Sequence, residues 1–236
     1  MSHFTVAVFS DSLEEIEDLL APYEEGTNDS MYLEWVPASE SMEEITAKFN
    51  EKNDGSETLN QFVKRWYGYD YHPIHKNYGC LCNPHAKWDW YQIGGRWEDI
   101  LRLKDDPSDK CNQALVSEID FSIDEEVYNK ALRFWEVFVE GSPIYSYERE
   151  EDFRSFFNEN YYLEQYGTKE NYAKSAASFN TWAFITPDGE WHENGAMGWW
   201  GFNGATQESR RAFSEELEKA IQEHPDCWLT MVDCHI

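Results

Sequence analysis

Apolar and polar positions alternate with period two at both ends of the chain. Over residues 3–9, Phe4, Val6 and Val8 fall on one side, and the alternation returns over residues 228–236. Both segments predict strands, the second built into a sheet. A period near 3.6 takes over between them. Ser12-Leu13-Glu14-Glu15 has capping-box spacing ahead of Ile16, Leu19 and Leu20, with Pro22 at the exit, and Ser41 with Glu44 repeats the box ahead of Ile45 and Phe49. Residues 31–36 predict a further strand, Asn53-Asp54-Gly55 a turn, and residues 57–66 a helix. Residues 67–87 have little periodicity and carry Gly68, Pro73, Gly79 and Pro84, which predicts a long structured loop.

Residues 88–103 read as a strand interrupted at Gly94-Gly95, the mark of a bulge or a close backbone approach, and Asp105-Asp106-Pro107 ends it. Residues 114–121 predict another strand. Ser122-Ile123-Asp124-Glu125 then caps a helix carrying Val127, Ala131, Phe134, Trp135 and Phe138, and residues 148–166 and 168–178 read as two more helices. Residues 124–178 thus form a helical insertion. Residues 181–186 and 190–193 flank Pro187-Asp188-Gly189 as a β-hairpin, and Thr206 caps a helix with Phe213, Leu217, Ala220 and Ile221 that Pro225 ends. Strands and helices are interspersed without βαβ repeats. The expectation is a single α+β domain over residues 1–236, with a mixed or mostly antiparallel sheet, a ferredoxin-like centre and the helical insertion.

Composition narrows the function classes. The 236 residues include 19 Lys+Arg and 46 Asp+Glu, a formal charge of −27, yet 41% are hydrophobic and 17% aromatic, with 11 Trp, so the chain can bury a core and is not of the disordered class. A charge of −27 repels DNA, RNA and anionic membranes, so no direct nucleic-acid or membrane partner is expected. The acid excess reads either as a solvated surface or as mimicry of a polyanion presented to a basic nucleic-acid-binding partner. It is unevenly spread: residues 11–57 hold 15 acids and two bases, whereas residues 64–104 hold seven bases and four acids. No apolar run approaches the roughly 20 residues of a spanning helix, and the opening Met1-Ser2-His3-Phe4 lacks the basic and apolar regions of a signal peptide, so a cytoplasmic location is expected. Five cysteines are not a disulfide framework, and a homo-oligomer is compatible with the sequence.

Three clusters carry candidate chemistry. His72, His75, Cys80, Cys82 and His85 are zinc-type ligands by residue type, but His-x2-His and Cys-x-Cys are not finger or ribbon spacings, so no metal and no cofactor is assigned. Trp88-Asp89-Trp90-Tyr91-Gln92-Ile93-Gly94-Gly95-Arg96-Trp97 joins aromatic plates to paired glycines and a guanidinium fork that suits phosphate or carboxylate. Met197-Gly198-Trp199-Trp200-Gly201 repeats two aromatic plates between glycines ahead of a helix. No phosphate-loop, dinucleotide or nucleophile-elbow motif is present, and no acid/base pair has diagnostic spacing.

Four blocks carry a resemblance: His3-Phe4-Thr5-Val6-Ala7-Val8, the central stretch from Asn83-Pro84-His85-Ala86-Lys87 to Trp97, Met197-Gly198-Trp199-Trp200-Gly201, and Leu229-Thr230-Met231-Val232-Asp233-Cys234-His235-Ile236. Together they resemble a family of phage and prophage proteins to which no reaction is assigned. That resemblance implies a phage accessory protein acting in the bacterial host cytoplasm against host defence. The expectation is therefore a binding protein that sequesters a small nucleotide-derived immune signal without turnover. Lys87 and Arg96 would meet phosphate, Trp88, Trp90, Trp97, Trp199 or Trp200 would stack, and Asp89 or Asp233 would accept hydrogen bonds. The alternatives are an acidic inhibitor that binds a host defence protein directly, and a nucleotide-cleaving enzyme.

Overall fold

The computed structural model describes residues 2–106, 108–195 and 206–236. In chain order, β1 (His3–Ser10), α1 (Ile16–Leu20), β2 (Glu34–Pro37), α2 (Met42–Lys52), α3 (Leu59–Tyr67), β3 (Asp70–His72), β4 (Asn77–Cys82) and β5 (Trp90–Ile93) make up the first part of the chain. They are followed by β6 (Leu101–Arg102), β7 (Lys110–Cys111), β8 (Gln113–Leu115), α4 (Glu125–Phe138), α5 (Glu159–Tyr166), α6 (Lys169–Ala177), β9 (Ala183–Ile185), β10 (Trp191–Glu193), α7 (Gln207–Glu223) and β11 (Trp228–His235). The fold is α+β with a mixed sheet and a helical segment between β8 and β9. The chain, read from sequence as one domain over 1–236, packs as two compact units: Met1–Leu19 with Tyr91–Ile236, and Leu20–Trp90.

The larger unit is built on the main sheet, whose strands run β10-β9-β1-β11-β5 with β8 also on β11. β1 and β11 are antiparallel over all eight residues, from His3↔His235 to Ser10↔Trp228, and β9 runs parallel to β1. Directions in the central four strands match a ferredoxin-like centre, a parallel middle pair with an antiparallel strand outside each. The order of visiting differs, because inner β9 precedes edge β10. Every residue of β1 and β11 except the first of each is buried, so the sheet is covered on both faces. One face carries Ala7, Phe9, Phe184, Leu229 and Met231, covered by Phe213, Leu217 and Ala220 of α7. Those three positions are the helical stripe that the sequence predicts, and Thr206 caps the helix as expected.

Two expected strands are cut short. The run over 88–103 keeps β5 and, beyond the break, the two-residue β6 as strands, because Gly94 (φ +73) and Gly95 (φ +57) turn the backbone into the left-handed region and a 3-10 turn, Gly95–Trp97, follows. The run over 114–121 leaves the ladder after Leu115 for a 3-10 turn, Val116–Glu118. The helix expected over 148–166 is likewise two pieces, a 3-10 turn at Glu150–Phe153 and α5. Arg133 of α4 ties down the loop before them: its Nε and Nη2 donate to the two Glu148 oxygens at 2.7 and 2.8 Å, and Nη2 also donates to the Pro143 carbonyl at 2.9 Å.

The smaller unit has its own core of Ile45, Phe62, Val63 and Tyr78. Both of its longer helices start on reciprocal caps. Ser41 Oγ accepts from the Glu44 N–H at 3.2 Å while Glu44 Oε2 accepts from the Ser41 N–H at 2.8 Å, and Thr58 and Gln61 do the same for α3. The stretch 67–87, read as a loop, contains β3 and β4. These pair Tyr71↔Tyr78 and His72↔Asn77, and β4 pairs β2 from Glu34↔Cys82 to Pro37↔Gly79.

Two outcomes follow from this packing. Phe62→Ala should cost about 3–5 kcal/mol, the range for emptying a buried phenylalanine site, read as a lower denaturant midpoint. The Arg133 guanidinium, helped by the Tyr145 N–H, holds the Glu148 carboxyl down to about 2 from an ordinary 4.5. Because the folded value lies below the unfolded one, the pair's stabilisation is complete above about pH 4.5 and fades as pH falls toward 2. Denaturant melts of wild type and Glu148→Gln should therefore differ at pH 6, draw together below about pH 4.5 and converge only near pH 2; a gap independent of pH would mean that the pair does not couple to folding.

Candidate functional site

Antiparallel partners point to the same side of a sheet, and every second residue shares that side. The β1–β11 register therefore sets His3, Thr5, Asp233 and His235 on the face that carries Ala7, Phe9, Leu229 and Met231 further along. At this end the face turns polar. Asp233 is 2% exposed, and a buried carboxylate needs donors. His3 Nδ1 lies 2.8 Å from Oδ1, and the Arg96 N–H donates to Oδ2 at 3.0 Å. Because a carboxylate only accepts, this contact makes Nδ1 the proton-bearing nitrogen of the His3 ring. The His235 ring meets that of His3 edge-on at 5.0 Å.

The paired glycines are what bring the chain so close. Gly94 donates its N–H to the Met231 carbonyl at 2.9 Å. A Cβ on Gly95 would lie 2.5 Å from Asp233 Cβ and Oδ2, and one on Gly94 would lie 2.6 Å from Asn112 Nδ2. The close approach read from the sequence is thus made to protein side chains. On the other flank, the Thr181 hydroxyl lies 3.0 Å from the Thr5 carbonyl and 3.1 Å from the Thr5 hydroxyl, and the Trp182 N–H donates to the Thr5 hydroxyl at 3.0 Å.

A cavity of about 300 Å³ opens beside this polar end. Trp97, Trp182, Asn180, Asn194, His3 and Arg210 contribute to its wall, and among the described residues that line it there is no carboxylate. Arg210 stands in the first turn of α7, with its guanidinium 5.9 Å from the Tyr166 ring centre. Burial raises the Tyr166 phenol above its ordinary value, so that ring stays neutral beside the cation. A second cavity of about 470 Å³ lies between the β9–β10 turn and the later turns of α7. Asp188, Glu190, Glu216 and Glu223 line it, so its wall repels anions where the first one does not.

The sequence-predicted site residues divide between the units. Arg96, Trp97 and Asp233 lie in the larger unit, where the Arg96 backbone, Asp233 and the Trp97 wall meet, while the Arg96 side chain is exposed. Lys87, Trp88, Asp89 and Trp90 lie in the smaller one. There Trp88 is buried, Asp89 and Trp90 are exposed, and the Lys87 and Trp88 N–H groups donate to the Tyr23 carbonyl at 2.8 and 3.3 Å. Trp199 and Trp200 lie outside the described residues. His3, Trp182, Asn180, Asn194 and Arg210 are lining residues that the sequence reading passed over; the one available signal was the resemblance block that opens on His3.

Gly95→Ala should force the 3-10 turn off Asp233 and cost about 1–3 kcal/mol, the range for strain at a constrained backbone site. Calorimetric melting of the variant checks this, and an unchanged melting temperature would show the turn to be free to move. No protein-family model, no curated protein and no solved structure matches this chain.

Proposed function

We propose that the protein is a binding protein for a small nucleotide-like anion, held in the 300 Å³ cavity of the larger unit and released without chemical change. The observation that carries this reading is the sorting of charge. In a chain with 46 Asp+Glu, none is among the described residues of the cavity wall, which include Arg210. Trp97 and Trp182 offer indole faces for a planar base, and the Asn180 carboxamide, whose Oδ1 accepts from the Thr181 N–H at 2.9 Å, offers its Nδ2 donor to the base edge. The volume is at the low end of ligand pockets, roughly 300–1,000 Å³, which suits one base with its attached anion rather than a polymer. In the phage setting that the resemblance implies, such a ligand is a signal of host immunity and the protein's task is to withhold it.

A specific observation also favours a second reading. His3 with its Nδ1 proton directed at the buried Asp233, beside a cavity, is the arrangement of a general base and its orienting carboxylate. On this reading the same pocket hydrolyses the nucleotide.

Titration calorimetry against mono-, di- and cyclic nucleotides tests both. Wild type should bind at least one of them. Trp97→Ala should weaken it by roughly 5- to 150-fold, the equivalent of about 1–3 kcal/mol of stacking, and Arg210→Ala by roughly tenfold or more, as for a lost charge-assisted hydrogen bond. Absence of binding across the panel, or unchanged affinity in a folded Arg210→Ala variant, overturns the capture reading. Product in excess of protein would assign hydrolysis instead, and His3→Gln should then stop turnover while leaving binding in place.

A further inference from the structure

We infer that Cys80 and Cys82 are a dithiol site that closes to a reversible intrastrand disulfide by exchange with a small disulfide of the oxidised-glutathione class. The inference concerns the smaller unit alone and is independent of the cavity. Both residues lie on β4, two positions apart and so on the same face. Their sulfurs are 2.9 Å apart, and both side chains are half-buried, within reach of a small molecule. Among the described residues no metal-binding group of three or more His, Cys, Asp or Glu is formed.

The backbone around the pair can give. In the described ladders β3 pairs β4 only at Asn77, Tyr78 and Gly79, whereas β2 pairs it from Gly79 to Cys82. The Cys80–Cys82 stretch is therefore held on one side. Two strand steps separate the Cα atoms by about 6.6 Å, near the upper limit of about 6.8 Å for a disulfide. Closure must draw β4 in slightly, which makes the product strained and easily reduced, the property of labile rather than structural disulfides.

The chemistry balances as two exchanges. Cys80, after losing its proton to water, attacks one sulfur of the small disulfide, its S–S bond breaks, and one small thiolate departs. Cys82, also deprotonated, then attacks the Cys80 sulfur of the mixed disulfide and expels the second small thiolate. Two protein thiols are oxidised by two electrons, and the small disulfide is reduced to two thiols. Burial, the bond to Cys80 and the nearby Glu25 push the Cys82 thiol up to about 11, which suits it to the resolving step.

Closure would be felt next door. Asn83 follows Cys82 directly and clamps its loop, donating through Nδ2 to the Pro22 and Glu24 carbonyls at 2.8 and 3.0 Å while its Oδ1 accepts from the His85 N–H at 2.9 Å. That clamp holds the segment carrying Lys87 and Trp88. Drawing in β4 should loosen it.

The full reduced chain, incubated with oxidised glutathione, tests the site by thiol counting, intact mass and peptide mapping. The expected result is loss of two of the five thiols, a mass lower by two hydrogens, both sulfurs joined within one peptide, and reversal by reduced glutathione. Faster amide exchange over residues 22–25 and 83–88 should accompany it. Cys82→Ser should stop at a single glutathione adduct on Cys80, a trapped first step that needs no change in fold. Five persisting thiols, a wild-type reaction that ends at the adduct, or a disulfide that joins two copies or uses Cys111 would each overturn the inference.

Discussion

The pairing of β1 with β11 is the constraint on which the larger unit depends. Both strands are buried on both faces, so a slip of one residue would exchange every side chain between faces and place Asp233 where Val232 now packs. In the observed register, one face is apolar from Ala7 and Met231 onward and polar at Thr5, Asp233, His3 and His235. α7 covers the apolar part through Phe213, Leu217 and Ala220. The polar part is closed differently, by the Gly94-Gly95 turn and by Thr181, because each buried oxygen there needs a donor that an apolar helix face cannot supply. The cavity is thus the place where the core runs out of apolar residues.

Elements were legible in the sequence where pattern and punctuation agreed. β1 and β11 read as strands from short runs rich in apolar residues, α2 and α7 announce themselves by caps and a stripe, and the hairpin of β9 and β10 has Gly189 at φ +85 in its turn. β3 and β4 were hidden because their faces are not apolar against polar. Tyr71, Tyr78, His72 and Cys80 pack as amphipathic side chains, with Tyr71 and Tyr78 rings 5.3 Å apart, and such residues leave no binary signal. The strand read over 88–103, interrupted at Gly94-Gly95, survives as β5 and β6, and the break between them is longer than expected for the opposite reason. Its residues suit a strand, but the need to bring backbone against Asp233 outweighs propensity at Gly94 and Gly95.

The site was legible only in its local part. The paired glycines, Trp97 and Asp233 stand in unusual segments and could be singled out one by one. Arg210, Asn180 and Trp182 sit in stretches that read as an ordinary helix start and an ordinary strand entry, and their convergence on His3 is tertiary: Thr181 meets Thr5 across 176 positions. Trp88 shows the converse. It is the most conspicuous kind of residue in the most conspicuous segment, yet it is buried and its backbone joins Tyr23 and Glu25 in the smaller unit's loop structure. Rarity in a sequence marks a residue as constrained, and the constraint here is packing.

Charge placement separates the two cavities more sharply than size does. Both are bordered by α7 and by the neighbourhood of the β9–β10 hairpin, and the larger one, near 470 Å³, would be the choice on volume alone. It is lined by Glu216 and Glu223 from the later turns of the helix, whereas the smaller cavity takes Arg210 from the first turn. With 46 acids against 19 bases, a wall assembled without regard to sign would be expected to include carboxylates. The described wall of the smaller cavity carries amides, indoles and a guanidinium, and the oxygens of the neighbouring Asp233 are engaged by His3 and the Arg96 N–H. The long-range field of the molecule opposes anions, so on the proposed reading affinity for one rests on short-range contacts of this kind, which salt screens least.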